Sequence, residues 1–346
     1  MRAAAAVIGV VAVGLVLAGC TGGDEPEAEP SSAGPQSAAP TLDAAAVTTQ
    51  RVQVPAPALD GNILGDPSER TALVILPPSY EASDKRYPVV YFLDGWQEPV
   101  GRLNSQARLL AQAMLAEGNQ ELIVVEIDGD NALTGNFYAN SPIGGNMEDF
   151  VAQDLVAYVD GAFRTIPERT SRGLAGFSMG GFGAVNVGMH RPDVFGAVSA
   201  LSPGLMTPDG LADMLADNGA WVPYAATFSP DPTATERPFA HLLDPTVPLD
   251  QQDPATVAAY ESGFGDLEAK VAAYLALPDQ LSHIRLTYGT TDSYAWIPAG
   301  TEYLAGLLTR EGVPHSLVTF DGGHSLDNGY LREGLVAFFS DELAGE

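Results

Sequence analysis

Along the chain, short runs rich in β-branched and aromatic residues alternate with longer stretches whose apolar positions return every three or four residues. Seven runs read as strands, over residues 71–76, 88–93, 121–127, 173–177, 196–201, 283–288 and 316–320. Several are apolar throughout rather than alternating, as expected of strands buried on both faces of a parallel sheet. The stretches 102–116, 148–162, 180–190 and 300–310 carry helical periodicity. This order predicts an α/β sandwich, a mostly parallel sheet with helices on both faces.

Residues 205–279 break the rhythm with scattered prolines, Trp221, Tyr224, Phe228 and weakly helical pieces. The segment is too long for an ordinary connection, so a cap or lid is expected there. Residues 21–50 are mostly Gly, Ser, Pro, Ala and acid, the composition of a solvated tether. From Arg51 to Glu346 the pattern stays globular and shows no internal repeat, which predicts one domain over 51–346.

The beginning of the chain differs again. Met1-Arg2 precedes an apolar run from Ala3 to Ala18, a charged segment followed by a signal-type apolar one that is short for a spanning helix. Leu17-Ala18-Gly19-Cys20 resembles the lipobox of bacterial lipoproteins, in which cleavage leaves the cysteine as a lipidated N-terminus. Residues 1–19 are therefore expected to be removed, and Cys20 to anchor the protein by residues 20–50 at the extracytoplasmic face of the membrane. Cys20 is the only cysteine, so an internal disulfide is ruled out; the plain alternative is a thiol that bridges two chains. With 44 acidic residues against 16 Lys and Arg, the formal charge is −28. Such a surface repels phosphate backbones, so nucleic acid is not an expected partner, and the acidity reads as a solubility feature.

The sharpest chemical signal is Gly176-Phe177-Ser178-Met179-Gly180-Gly181, which follows a predicted strand and opens a predicted helix. A serine between glycines at such a junction is a nucleophile elbow: the turn is too tight for flanking side chains and lifts the hydroxyl clear of the sheet. The bare pattern also arises by chance in glycine-rich chains, and the strand and helix around it give it meaning. A serine hydroxyl needs a base, and in this arrangement the partners follow in the order Ser, acid, His. His190 falls on the helix after the elbow, His241 in the cap, and His283 and His315 beside strand starts. Only His324, in Phe320-Asp321-Gly322-Gly323-His324-Ser325, lies in a loop between the last strand and the last helix, so it is the expected base.

Asp292 sits just beyond the end of a strand, where catalytic groups gather in open α/β sheets, and is the expected acid. Its competitors Asp321 and Asp327 lie so close to His324 that shaping its loop or capping the last helix suits them better. An oxyanion would be met by the backbone N–H of Met179, the residue after the nucleophile. Tyr91-Phe92-Leu93-Asp94-Gly95-Trp96, an early strand ending in a glycine turn, makes Trp96 N–H the candidate second donor. Asp128-Gly129-Asp130-Asn131 lacks the spaced ligands and closing glutamate of a calcium loop and reads as a turn, and no metal or cofactor is called for. Phe137, Tyr138, Asn140, Trp221, Tyr224, Tyr294 and Trp296 are candidates for an acyl pocket, although aromatic residues more often simply pack, and none is assigned to substrate.

From about residue 50 to the end, these ordered motifs resemble the esterase D superfamily of α/β-hydrolases. The matching stretches are Val74-Ile75-Leu76-Pro77-Pro78-Ser79-Tyr80, Tyr87-Pro88-Val89-Val90-Tyr91-Phe92-Leu93-Asp94-Gly95, Asn136-Phe137-Tyr138-Ala139-Asn140-Ser141-Pro142, the elbow, and Gly322-Gly323-His324. The superfamily includes S-formylglutathione hydrolases, carbohydrate-linked acyl esterases and secreted mycolyltransferases of the antigen 85 type. The resemblance implies a Ser178–Asp292–His324 triad with Met179 and Trp96 lining the oxyanion hole. Export sets the chain apart from the formylglutathione hydrolases. Gly180 and Asp292 stand where the mycolyltransferases have alanine and glutamate. The expected activity is hydrolysis of a small-molecule, lipid or sugar ester through an acyl-enzyme. The alternatives are transfer of the acyl group to an alcohol or sugar, and a non-catalytic binding lipoprotein.

The anchor expectation has a direct check. Cys20→Ser should move the protein from the membrane fraction to the soluble fraction, because lipid chains would supply its membrane affinity. Continued sedimentation of the variant with membranes would contradict the lipobox reading.

Overall fold

The computed structural model describes residues 42–346. The signal-type segment 1–19, Cys20 and the tether as far as Thr41 lie outside the described residues. In chain order the strands are β1 (Thr48–Pro55), β2 (Glu69–Leu76), β3 (Val89–Leu93), β4 (Ile123–Ile127), β5 (Asn140–Ser141), β6 (Gly145–Asn146), β7 (Arg172–Phe177), β8 (Ala197–Leu201), β9 (His283–Gly289) and β10 (His315–Phe320). β5 and β6 form a small ribbon of their own, and the other eight make one sheet in the order β1-β2-β4-β3-β7-β8-β9-β10. β2 runs against both its neighbours, and every pair from β4 to β10 is parallel. All seven strands expected from the sequence are present.

The helices are α1 (Ala107–Met114), α2 (Met147–Asp149), α3 (Val156–Ala162), α4 (Met179–His190), α5 (Leu211–Asn218), α6 (Val222–Phe228), α7 (Pro254–Phe264), α8 (Leu267–Leu275), α9 (Trp296–Glu311) and α10 (Phe338–Glu342). A π-helical stretch, Phe150–Leu155, joins α2 to α3, and another, Tyr330–Ala337, leads into α10. One face of the sheet packs on α1, Tyr330–Ala337 and α10, and the other on α3, α4, α8 and α9. In β3 the side chains of Val89, Tyr91 and Leu93 enter the second of these cores while Val90 and Phe92 enter the first. All five are buried, which is why the run is apolar without alternation.

Two boundaries differ from the sequence expectation. The folded body begins before Arg51: Asp43 caps a short turn at Ala44–Ala46, and β1 starts at Thr48. β1 is an edge strand whose Thr-Thr-Gln-Arg residues are exposed, and it is held by its ladder with β2 from Thr48↔Leu76 to Pro55↔Glu69. Backbone pairing of that kind needs no apolar pattern, so residues 42–50 read as tether from composition alone. The expected cap over 205–279 is also two things. α5, α6 and α7 form a helical insertion, whereas α8 buries Leu267, Val271 and Tyr274 beside α4 and α9 and belongs to the cover of the sheet.

Phe339 of α10 is fully buried, and its ring lies so close to Gly173 of β7 that a Cβ there would collide with it. Phe339→Ala leaves a cavity under the central strand and should cost about 3–5 kcal/mol of unfolding free energy, read from urea denaturation. An unchanged denaturation midpoint would show that this contact does not support the sheet.

Candidate active site

The site is built where β7 turns into α4. Ser178 sits at φ 57° and ψ −116°, a conformation that L-residues rarely adopt and that costs about 1–3 kcal/mol. The surroundings over-determine it. A Cβ on Gly176 would strike the carbonyl of Gly180, and a Cβ on Gly180 would strike the carbonyl of Leu93 at the end of β3. The Ser178 N–H donates to Leu201 O at 2.9 Å, which fixes the turn to β8 as well. These two glycines are therefore fixed by backbone approach rather than by loop flexibility.

Ser178, His324 and Asp292 come from the ends of three different strands and meet in one hydrogen-bonded chain. The carboxylate Oδ2 of Asp292 accepts from His324 Nδ1–H at 2.8 Å, which leaves Nε2 to accept from the Ser178 hydroxyl, also at 2.8 Å. The Asp292 side chain is fully buried, and its other oxygen accepts from the Tyr294 N–H at 3.0 Å. The imidazole is held between the rings of Phe177 and Tyr294, each with its centroid 5.0 Å away. The remaining histidines are elsewhere: His190 pairs with Glu148, His283 contacts Ser316, His315 contacts Thr309, and His241 is exposed in the insertion. Asp327 accepts from the Tyr330 N–H at 3.1 Å at the start of the last helical stretch, and Asp321 is exposed.

Met179 N–H is in the first turn of α4, where helix geometry supplies no acceptor. Trp96 follows the Asp94-Gly95 turn at the end of β3, and both residues line the same cleft as Ser178 and His324. Among the described residues neither backbone N–H has a backbone acceptor. The loop from Asp128 to Gly135 packs beneath them; a Cβ on Gly129 would lie 2.6 Å from Met179 Cε, and one on Gly135 3.0 Å from Trp96 Cδ1. Within that loop Asp128 accepts from Val100 N–H and Asn131 from Leu133 and Gly135 N–H, so these acids and amides serve the turn.

Asp94 and Glu126 have no role expected from the sequence, and Tyr138, a candidate for the acyl pocket, does not line the cleft. Tyr138 is fully buried, and burial pushes its hydroxyl well above its ordinary pKa, so it stays a donor. It donates to Asp94 O at 2.9 Å and Ile127 O at 3.2 Å, tying the Asp94-Gly95-Trp96 turn to β4. Phe137 and Tyr138 both have positive φ, 54° and 52°, which nothing in a single sequence signals.

The cleft holds about 170 Å³ and is walled by Trp96, Phe177, Trp221, Phe264, Tyr294 and Trp296, with Asn218 and Glu98 as polar groups. Trp221 meets Trp96 edge-on at 5.4 Å and stacks on Tyr224 at 5.6 Å. Trp296 Nε1 donates to Asp217 Oδ2 at 3.0 Å and so ties the end of α5 to the start of α9. Of the acyl-pocket candidates, Trp221, Tyr294 and Trp296 reach the cleft, Phe137, Tyr138 and Tyr224 are buried in the core, and Asn140 is exposed.

Residues 66–251 match the model of the Esterase family, a span that holds Trp96, Ser178 and Met179. A protein of Xylanibacter ruminicola described as endo-1,4-beta-xylanase/feruloyl esterase is 31% identical over 154 residues, which is 42% of this chain and 21% of that protein. The chain thus aligns with about a fifth of that relative's length. Among solved structures, a ferulic acid esterase superposes with a TM-score of 0.60 at 21% identity, covering 88% of this chain and 100% of the other. The S-formylglutathione hydrolase of Agrobacterium tumefaciens superposes with a TM-score of 0.55 at 17% identity, covering 86% and 96%. At these identities the two structures share the fold.

The geometry ranks the aspartates. Asp292→Asn should lower turnover of a p-nitrophenyl ester by roughly 10⁴-fold, because an amide in that place misorients the imidazole and its tautomer. Asp327→Asn keeps an acceptor for the Tyr330 N–H and should leave kcat within about threefold. The reverse ranking in steady-state kinetics would reassign the acid.

Proposed function

The chain belongs to the Esterase family and has the α/β-hydrolase fold, and from that premise we propose that it is a serine carboxylic ester hydrolase acting outside the cytoplasm. The observation that carries the reading is the unbroken Asp292–His324–Ser178 chain with 2.8 Å at both links. In the first half-reaction Ser178 Oγ bonds to the ester carbonyl carbon as its proton passes to His324 Nε2. The carbonyl oxygen becomes an oxyanion facing the N–H groups of Met179 and Trp96. The C–O bond to the alcohol then breaks, and the alcohol leaves with the proton from His324. In the second half water attacks, its proton moves to His324, and the acid departs as Ser178 is reprotonated. Asp292 accepts from His324 Nδ1–H and holds the imidazole in one tautomer throughout. No step needs a metal or cofactor.

For the acyl group, the aromatic walls suit a flat aromatic or short apolar chain, and a relative described as a feruloyl esterase agrees with that preference. Lipidation at Cys20 would hold the body at the membrane surface, with the acidic chain repelling anionic headgroups. An alcohol held against the acyl-enzyme would take the acyl group in place of water. In dilute buffer water is the expected acceptor.

Ser178→Ala should fold as the native protein does and lose both fluorophosphonate labelling and ester turnover, the latter by about 10⁶-fold. Undiminished labelling of the variant would refute the reading. Adding glycerol or trehalose to the native enzyme and a p-nitrophenyl ester separates the two outcomes. Free acid as the main product supports a hydrolase, and new ester predominating at millimolar acceptor would make the protein an acyltransferase.

A further inference from the structure

Directly beneath the oxyanion turn lie two carboxyl groups with no role in the steps above. Asp94 and Glu126 are both fully buried. In the parallel register of β3 and β4, Phe92 faces Glu126, and Asp94 stands two residues beyond Phe92 on the same side of the sheet. The two side chains therefore extend the rows Val90-Phe92 and Val124 into the core shared with α1, within hydrogen-bonding reach of each other. One oxygen of Glu126 accepts from the Leu103 N–H at 3.0 Å. Among the described residues, neither oxygen of Asp94 nor Oε2 of Glu126 meets a donor.

The groups around the pair do not supply a counter-charge. On the turn after β3 stand Glu98 and Arg102, which pair with each other, and beyond the end of β4 stands Asp128. Arg51 from β1 is occupied by Val100 O, and Arg70 from β2 acts on Asp128. Tyr138 reaches the backbone oxygen of Asp94 rather than its carboxyl group. Glu98 and Asp128 add negative charge. Two carboxylates so placed cannot both ionise, and the missing donor between them is a proton.

We propose that Asp94 and Glu126 share one proton, and that the bonded pair is a positioning device that holds the Gly95-Trp96 turn so that Trp96 N–H faces the Ser178 oxyanion. Glu126 bonds forward to Leu103 at the start of the segment leading to α1, and Asp94 immediately precedes Gly95, so the pair clamps both ends of the loop between them. Neither residue lines the cleft, so the action is through Trp96. The inference rests on the reading of Ser178 as nucleophile and Trp96 N–H as oxyanion donor.

Burial, first, and then each other's charge push Asp94 well above the ordinary carboxylate range, and burial raises Glu126 despite the Leu103 N–H that pulls it down. As pH rises past the usual carboxylate range, the unfolded chain releases these protons before the folded one does. The pair's contribution to stability therefore falls with pH until the folded pair itself ionises. Ionisation would put two charges side by side and loosen the turn.

The test compares Glu126→Gln, whose amide N–H replaces the shared proton with one that does not titrate, and Glu126→Leu, which supplies no donor. Native kcat should fall at alkaline pH. Glu126→Gln should keep kcat within about threefold at neutral pH and lack that alkaline fall, whereas Glu126→Leu should lose about tenfold or more in kcat with KM nearly unchanged. Asp94→Asn should reproduce the Glu126→Gln behaviour and serves if that variant does not fold. The melting temperature should also decline less steeply between pH 5 and pH 9 in Glu126→Gln than in the native protein. The inference is overturned if Glu126→Gln keeps the native alkaline fall and the native pH dependence of melting, or if Gln and Leu lose kcat equally. Absence of any turnover by the native protein would refute the hydrolase reading instead, and the melting comparison, which needs no turnover, would still decide whether the proton is shared.

Discussion

The close approach of Gly180 to the carbonyl of Leu93 is the contact on which the rest of the site depends. It brings the start of α4 down onto the end of β3, and in doing so places the first N–H of the helix beside the turn that carries Trp96. Ser178 can stand in its strained conformation only because α4, β3 and β8 close around it. The same closeness removes any room for a side chain at Gly176 or Gly180, so the glycine pattern around the serine records packing rather than mobility.

That constraint explains which parts were legible in the sequence. β3, β4, β7 and β8 are buried on both faces, and their runs stand out because nearly every position in them is apolar. The elbow shows itself because its glycines are required. His324 and Asp292 follow from chain order and from lying just past strand ends, where the structure does bring them together. β1 is not legible because an edge strand held by its backbone ladder carries no apolar code, and the polar Thr48–Gln50 stretch has the composition of a tether. α8 reads as part of a cap because its buried stripe, Leu267, Val271 and Tyr274, is short and interrupted by exposed residues.

The least legible part is the support beneath the turn that carries Trp96. Tyr138 looked like one more aromatic residue, and its reach to Asp94 O depends on two consecutive left-handed residues that no propensity predicts. Glu126 reads as a blemish in an apolar strand until the register with Phe92 places it next to Asp94. Buried polar groups of this kind contradict the local pattern because they answer to neighbours distant in sequence. They are also where the fold accepts a loss of stability, since a buried acid must keep its proton or find a partner. The insertion has a similar logic. Trp221 stands at φ 40° between α5 and α6 and meets Trp96 edge-on, so one residue of the helical insertion shapes the cleft opposite the elbow.

The central claim is that an acyl group passes through Ser178, and a covalent intermediate is the observation that reaches it most directly. Mass spectrometry of the protein quenched in acid within the first turnovers of a p-nitrophenyl ester would show it. The account predicts a mass gain equal to one acyl group, confined after digestion to the peptide containing Ser178. An acyl group on any other residue, or turnover with no acylated protein at any quench time, would contradict it.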